Sequence, residues 1–311
     1  MFNNVKLHSK LIGFYDEFNL IKNFFNDSQK SNKLLFSGLK GIGKATFAYH
    51  LINYAFSLNE DYKYDVKNNT INTKNRSYKL IENNTHPNLF NVSFNENKSI
   101  IDISKIREMI EFSNKSSFNG ECKIILIDNL EYLNTKSVNS LLKIIEEPNT
   151  NIYFFLIHNS KQPILETLKS RCIKYNLFLN YNESLSIINK LLKNDFYQNL
   201  NEDFKNYYNS PGDIIKLFNF FQNNEIDEKI TIEELLNLII NKFLYKKDTY
   251  LKINISLFIE IYFKKKINYF SSKDKVYYFY KYFLLKISEC NKYNLDLESV
   301  LIEFKGKILN G

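Results

Sequence analysis

The sequence predicts an α/β domain, a parallel sheet with flanking helices, followed by a small helical domain and an all-helical C-terminal domain. Two patterns carry that expectation. Through about the first 180 residues, short apolar runs alternate with stretches of helical period, the order required by a parallel sheet wrapped in helices. Beyond Leu177 the strand-like runs stop and only helical periodicity continues. A third observation sets the scale: at roughly 100–200 residues per domain, 311 residues suffice for two or three domains and exclude a peptide hormone or a single small module.

The predicted strands are 34–37, 89–94, 122–127, 152–157 and 172–177, each short and rich in Ile, Leu, Phe or Tyr. Helical stripes lie between them. Phe47, Ala48, Leu51, Ile52 and Ala55 form the first; Ile103, Ile106, Met109 and Ile110 the second; Val138, Leu141, Leu142 and Ile145 the third. The stretch 59–85 is polar and shows no clear period, so it reads as a loop. Residues 184–192 and 213–221 read as two amphipathic helices, the second opening after the turn Asn209-Ser210-Pro211-Gly212. From about residue 226 to the end, segments rich in Leu, Ile, Phe, Tyr and Lys read as helices.

Lys plus Arg number 42 and Asp plus Glu 34, a net charge of +8 that favours a polyanionic partner. A chain that is 44% apolar has too much core-forming material to be disordered. Cys122, Cys172 and Cys290 lie too far apart for a disulfide framework or a zinc site, which fits a reducing compartment. The first residues lack the apolar core of a signal peptide, and no apolar run approaches a membrane span. The expectation is a soluble protein of the cytoplasm, with no metal and no membrane.

Gly38-Leu39-Lys40-Gly41-Ile42-Gly43-Lys44-Ala45-Thr46 follows a predicted strand and opens a predicted helix, the context of a phosphate-binding loop. Gly38, Gly41 and Gly43 let backbone N–H groups curl around phosphate oxygens, the helix N-terminus adds a favourable dipole, and Lys44 reaches the outer phosphates. One part is missing. The residue after the lysine, where Ser or Thr coordinates magnesium, is Ala45, and Thr46 lies about 100° further around the helix. Occupancy stays open between ATP with magnesium, held weakly without hydrolysis, and a glycine-rich turn with no ligand; no cofactor is required.

Ile124-Ile125-Leu126-Ile127-Asp128 reads as a buried strand ending in a carboxylate that would hold magnesium directly or through water. In ATPases of this type the next residue is often the glutamate that activates water. Here it is Asn129, whose amide cannot act as a general base. Glu131 reads as a displaced, solvated surface charge.

Asn139-Ser140-Leu141-Leu142-Lys143-Ile144-Ile145-Glu146-Glu147-Pro148, followed by Ser170-Arg171-Cys172, resembles the clamp-loader branch of the AAA+ ATPases. Within that branch the chain is similar to the delta-prime family, through Gly41-Ile42-Gly43-Lys44-Ala45-Thr46, His86-Pro87-Asn88-Leu89 and Ile157-His158-Asn159. The resemblance covers nearly all of the first domain. Ser210-Pro211-Gly212 resembles the start of the family's second sensor, and the helical remainder is compatible with a collar. The organisation so implied is an AAA+ domain over 1–178, a helical lid over 179–224 and a collar domain over 225–311.

The resemblance further implies that Arg171 acts in trans, entering a neighbouring subunit's nucleotide site to neutralise charge on the γ-phosphate. It places Asn159, or His158 beside it, at the first sensor, where a satisfied strand-end polar group is an equal reading. Where ATP-binding members carry a second-sensor arginine, this chain has Asp213. Ala45, Asn129 and Asp213 each remove a part needed for hydrolysis. The expectation is therefore a subunit without ATPase activity of its own, helping to load a sliding clamp onto primed DNA together with gamma/tau and delta subunits. The alternative is an ATP-hydrolysing motor of gamma/tau type, or another AAA+ ATPase acting on nucleic acid. Some members carry a four-cysteine zinc module, but 59–85 contains no cysteine. Lys98, Lys105 and Arg107 read as a solvated polar face more readily than as DNA contacts. Tyr277, Tyr278, Phe279, Tyr280 and Phe283 read as core or subunit interface rather than a base-stacking surface.

Overall fold

Five short segments within the first 176 residues assemble into one parallel sheet. They are β1 (Lys33–Gly38), β2 (Leu89–Val92), β3 (Lys123–Ile127), β4 (Ile152–Asn159) and β5 (Ile173–Asn176), in the spatial order β2-β3-β4-β1-β5. In it β1, β3 and β4 are buried along nearly their whole length, while the edge strand β5 is largely exposed. The computed structural model describes residues 8–26, 32–92, 101, 103–146, 151–192, 195–205, 207, 210–267, 273–293 and 295–309. Contacts divide the chain into two units, Met1–Ile187 and Ile188–Gly311.

In the first unit, β1 pairs with β4 from Lys33↔Phe154 to Gly38↔Asn159 and with β5 from Leu34↔Ile173 to Ser37↔Asn176. The helices are α1 (Tyr15–Ile21), α2 (Lys44–Ser57), α3 (Arg76–Glu82), α4 (Ile103–Asn114), α5 (Thr135–Glu146) and the short α6 (Glu166–Lys169); α7 (Tyr181–Leu192) crosses the division between the units. Strand side chains alternate between the faces. Leu35, Ile125, Ile127, Phe154 and Leu156 join Ile106 and Met109 of α4 and Val138, Leu141 and Ile145 of α5 in one cluster. Phe36 turns the other way and meets Phe47 of α2 edge-on at 5.3 Å, and Phe155 at 5.5 Å.

All five predicted strands are present. Residues 93 and 94 of the second, together with Lys98, Glu147, Pro148 and Asn209, lie outside the described residues. The predicted loop 59–85 is corrected: it contains α3. Asn75 caps that helix by accepting the Tyr78 N–H at 2.7 Å, and the Glu60 carboxylate accepts the N–H groups of Arg76 and Ser77 at 3.0 and 3.1 Å. Tyr64, Ile71, Tyr78 and Ile81 of this stretch are buried. At the start of β3, Lys123 is buried with its ammonium donating to the carbonyls of Phe112 and Lys115, so it satisfies the end of α4.

The second unit is helical: α8 (Phe196–Asn199), α9 (Glu202–Lys205), α10 (Pro211–Asn223), α11 (Ile232–Asn241), α12 (Leu244–Lys247), α13 (Thr249–Ile267), α14 (Lys273–Tyr293) and α15 (Leu297–Phe304). Thr231 and Glu234 form a capping box at α11, and Asp296 caps α15. Phe263, Phe283 and Phe304 meet at centroid distances of 5.1 to 6.4 Å. Glu303 accepts from Lys286 at 2.6 Å, Lys307 at 2.7 Å and Tyr282 at 2.8 Å, and these donors hold its carboxyl down at about 2. Among the described residues, no helix is long and apolar enough to cross a membrane.

Two buried histidines of the first unit are held neutral. His50 Nε2 bonds the His8 carbonyl at 2.9 Å; a carbonyl only accepts, so the proton sits on Nε2, and Nδ1 accepts from the Tyr64 hydroxyl at 2.9 Å. His86 stacks on Phe56 with ring centroids 4.0 Å apart, and its Nδ1 accepts the Asn88 N–H at 3.2 Å. Burial pulls both rings from 6.5 down to about 4. The unfolded chain thus binds protons first: stability is full above about pH 6.5 and falls as pH drops toward about 4, by up to about 3 kcal/mol per ring. Urea midpoints measured from about pH 7.5 to about pH 4.5 should fall accordingly, and His50→Asn should make that fall shallower.

Candidate functional site

The carboxyl ends of β1, β3 and β4 carry Ser37, Asp128, His158 and Asn159, and the phosphate-type loop leaves from β1 there. Gly41 and Gly43 take φ of 84° and 96°, the left-handed region that lets the loop curl into α2. Gly38 is glycine for a different reason. Leu177 N–H bonds the Ser37 carbonyl at 2.8 Å, and a Cβ on Gly38 would lie 2.4 Å from the Leu177 carbonyl oxygen.

Lys44 turns back into its own loop. Its Nζ donates to the carbonyls of Gly38 at 2.8 Å and Leu39 at 2.6 Å, and the residue is only 7% exposed. Burial pulls its pKa from 10.5 to about 8, opposed by the charges of Glu131 and Asp128. Two of the three ammonium donors thus face backbone oxygens rather than an open cradle. Ala45 and Thr46 are half-buried on the first turn of α2.

Asp128 is buried at the end of β3, its N–H bonded to the Val92 carbonyl at 3.1 Å. Burial, reinforced by this carboxylate, pushes the Tyr49 hydroxyl up to about 12; the same hydroxyl accepts from Asn91 Nδ2 at 2.8 Å. Asn129 takes φ of 60°, a conformation that asparagine tolerates better than most residues. Glu131 corrects the sequence reading: it is not a solvated surface charge. Its carboxylate accepts the Asn159 N–H at 3.1 Å, and of the charges near Lys44 it acts most strongly.

His158 is buried, with Nε2 donating to the Gln162 carbonyl at 2.8 Å and Nδ1 accepting the Ser37 hydroxyl at 3.1 Å. Burial lowers its pKa, so the ring is neutral at pH 7 and both nitrogens are engaged. Asn159 lies beside Gly38 in the register, and its Oδ1 accepts the Lys161 N–H at 3.2 Å.

Arg171 stands away from this cluster, between α6 and β5. Its Nη2 lies 2.5 Å from Oε1 of Glu146, the last residue of α5, and its Nη1 donates to the Thr167 carbonyl at 2.8 Å. The two motifs Asn139–Glu146 and Ser170–Cys172, distant in sequence, are therefore joined by an ion pair. Cys172 packs against the sheet's core, and burial raises its thiol to about 11. Asp213 closes a cap: Ser210 Oγ donates to its carboxylate at 2.7 Å and accepts its N–H at 3.3 Å, stabilising the start of α10. Lys105 pairs with Glu108 at 2.6 Å on an exposed helix face that also carries Arg107. Phe283 is core, whereas Tyr277 and Tyr278 are exposed. No group of three or more His, Cys, Asp or Glu among the described residues is arranged to hold a metal ion.

A model of the family described as "DNA polymerase III, delta subunit" matches residues 16–179. A DNA polymerase III subunit delta' of Buchnera aphidicola (Schizaphis graminum) is 34% identical over 185 residues, 57% of this chain and 55% of that protein. The subunit of that name from Escherichia coli K12 is 30% identical over 97 residues, 31% of this chain and 29% of its own. The chain spans about half or less of the length of these curated relatives. A solved structure of a gamma subunit-related protein of DNA polymerase III from Thermotoga maritima superposes with a TM-score of 0.53 at 14% identity, covering 94% of this chain and 98% of that one, a likeness of fold.

The approach at Gly38 sets a test. Gly38→Ala drives a methyl group into the Leu177 backbone and should cost about 1–3 kcal/mol, read as a lowered melting temperature. Gly306→Ala, where a Cβ meets nothing within 4 Å, should melt with the unchanged protein.

Proposed function

The chain belongs to the family described as DNA polymerase III, delta subunit, and from that premise we propose that it works as a clamp-loader subunit of delta-prime type. In this reading it helps to place a sliding clamp on primed DNA, assembled with gamma/tau and delta subunits in the cytoplasm. Residues 1–178 act as the AAA+ domain, 179–224 as the lid and 225–311 as the collar.

The observation that carries the proposal is the contrast between the two cations. Lys44 is turned inward onto the carbonyls of its own loop, whereas Arg171, its side chain 37% exposed, is held at the surface. A cation at the surface is available to a neighbour's phosphates, and a planar guanidinium suits a transferring phosphoryl group better than an ammonium does. The chain's own loop fits ATP with magnesium poorly. Phosphate needs Lys44 to leave Gly38 and Leu39, the position of the metal-binding hydroxyl is Ala45, and the position of the base is Asn129. Asp128, Asn159 and Thr46 remain around that loop, but no hydrolytic step is assigned to them. A hydrolysing motor of gamma/tau type would require the missing hydroxyl and base to be supplied from elsewhere.

Reconstitution tests this reading. ATP turnover by the isolated chain should stay at background. In the assembled complex, Arg171→Ala should lower DNA-stimulated turnover by about ten-fold while leaving assembly unchanged by gel filtration. Turnover by the chain alone would make it a motor.

A further inference from the structure

We propose that Glu146 is a positioning residue that holds the Arg171 guanidinium in place for a phosphate of a neighbouring subunit; the inference rests on Arg171 acting in trans. The guanidinium is anchored at two points of its own chain, Glu146 Oε1 at 2.5 Å and the Thr167 carbonyl at 2.8 Å. Both anchors stand on pinned supports. Glu146 follows Ile145, and Thr167 precedes Leu168, and these two apolar side chains are buried in the same core cluster.

Arginine carries five N–H donors in one plane. The two anchors engage one N–H of each terminal nitrogen, so the remaining donors are left to a second anion. An arginine without such a tether samples many rotamers, and ordering it at the moment of reaction opposes catalysis. The tether orders it beforehand. The pair is half-exposed, with side-chain exposures of 37% and 47%, so it contributes little to folding and its loss leaves the fold intact. Glu146 also subtracts from the positive field of Arg171, which by itself predicts that removing the carboxylate raises the rate. The two effects have opposite signs, and the proposal is that ordering wins.

The test compares DNA-stimulated ATP turnover of the reconstituted complex carrying the unchanged chain, Glu146→Ala, Glu146→Gln, Arg171→Ala or the Glu146→Ala/Arg171→Ala pair. Glu146→Ala should lower kcat about five-fold, the equivalent of about 1 kcal/mol, with KM for ATP and the melting temperature of the free chain unchanged. Glu146→Gln keeps the length and one acceptor and should recover part of that loss. In the Arg171→Ala background, Glu146→Ala should add nothing. Equal or faster turnover with Glu146→Ala, or a loss that persists without Arg171, overturns the positioning role while the loss on Arg171→Ala still stands. If Arg171→Ala itself changes nothing, the in-trans reading fails and the role of Glu146 falls with it.

Discussion

β1 is paired along both edges, by β4 from Lys33 to Gly38 and by β5 from Leu34 to Ser37, and its side chains are buried on both faces. Polar chemistry can then be placed only at its carboxyl end. There the chain must turn into α2 without leaving carbonyls stranded, because an unpaired buried backbone group is costly. Lys44 answers that requirement from within, bonding the carbonyls of Gly38 and Leu39. Glu131 and Asp128 supply the negative charge that keeps a buried ammonium tolerable. The arrangement at the loop follows from how a strand buried on every side is brought to an end.

The same logic explains the residues that depart from a hydrolytic pattern. Asn129 sits where the backbone is left-handed. Asp213 closes the cap of α10 with Ser210. These two departures thus each have a local structural use: Asn129 where the backbone turns left-handed, Asp213 in the cap of α10.

The sheet was legible in the sequence chiefly because β1, β3 and β4, buried along nearly their whole length, read as near-continuous apolar runs, and only strand ends shifted by a residue or two, as where β3 starts at Lys123 rather than Cys122. The helix α3 was not: it spans only seven residues in a polar stretch without a clear period, and besides the local cap Asn75 its start is held by Glu60, 16 residues before Arg76. Glu131 was misread because its partner is a backbone N–H 28 residues away, which leaves no mark on side-chain pattern. Arg171 and Glu146 both stood inside recognisable motifs. Their pairing was invisible, since the folded chain brings together two segments that sequence spacing keeps apart.

The position of β1 in the sheet also sets a timetable for synthesis. Both of its neighbours come from residues 152–159 and 173–176, so this interior strand waits unpaired while more than 110 intervening residues are made. At roughly 5–20 residues per second, Leu177 reaches Gly38 on the order of ten seconds or more after the loop has emerged. Until then an apolar strand is without its partners, the period in which such segments are most exposed to aggregation. The placement that pairs β1 along both edges in the finished protein makes it one of the last parts of the sheet to be completed as the chain grows.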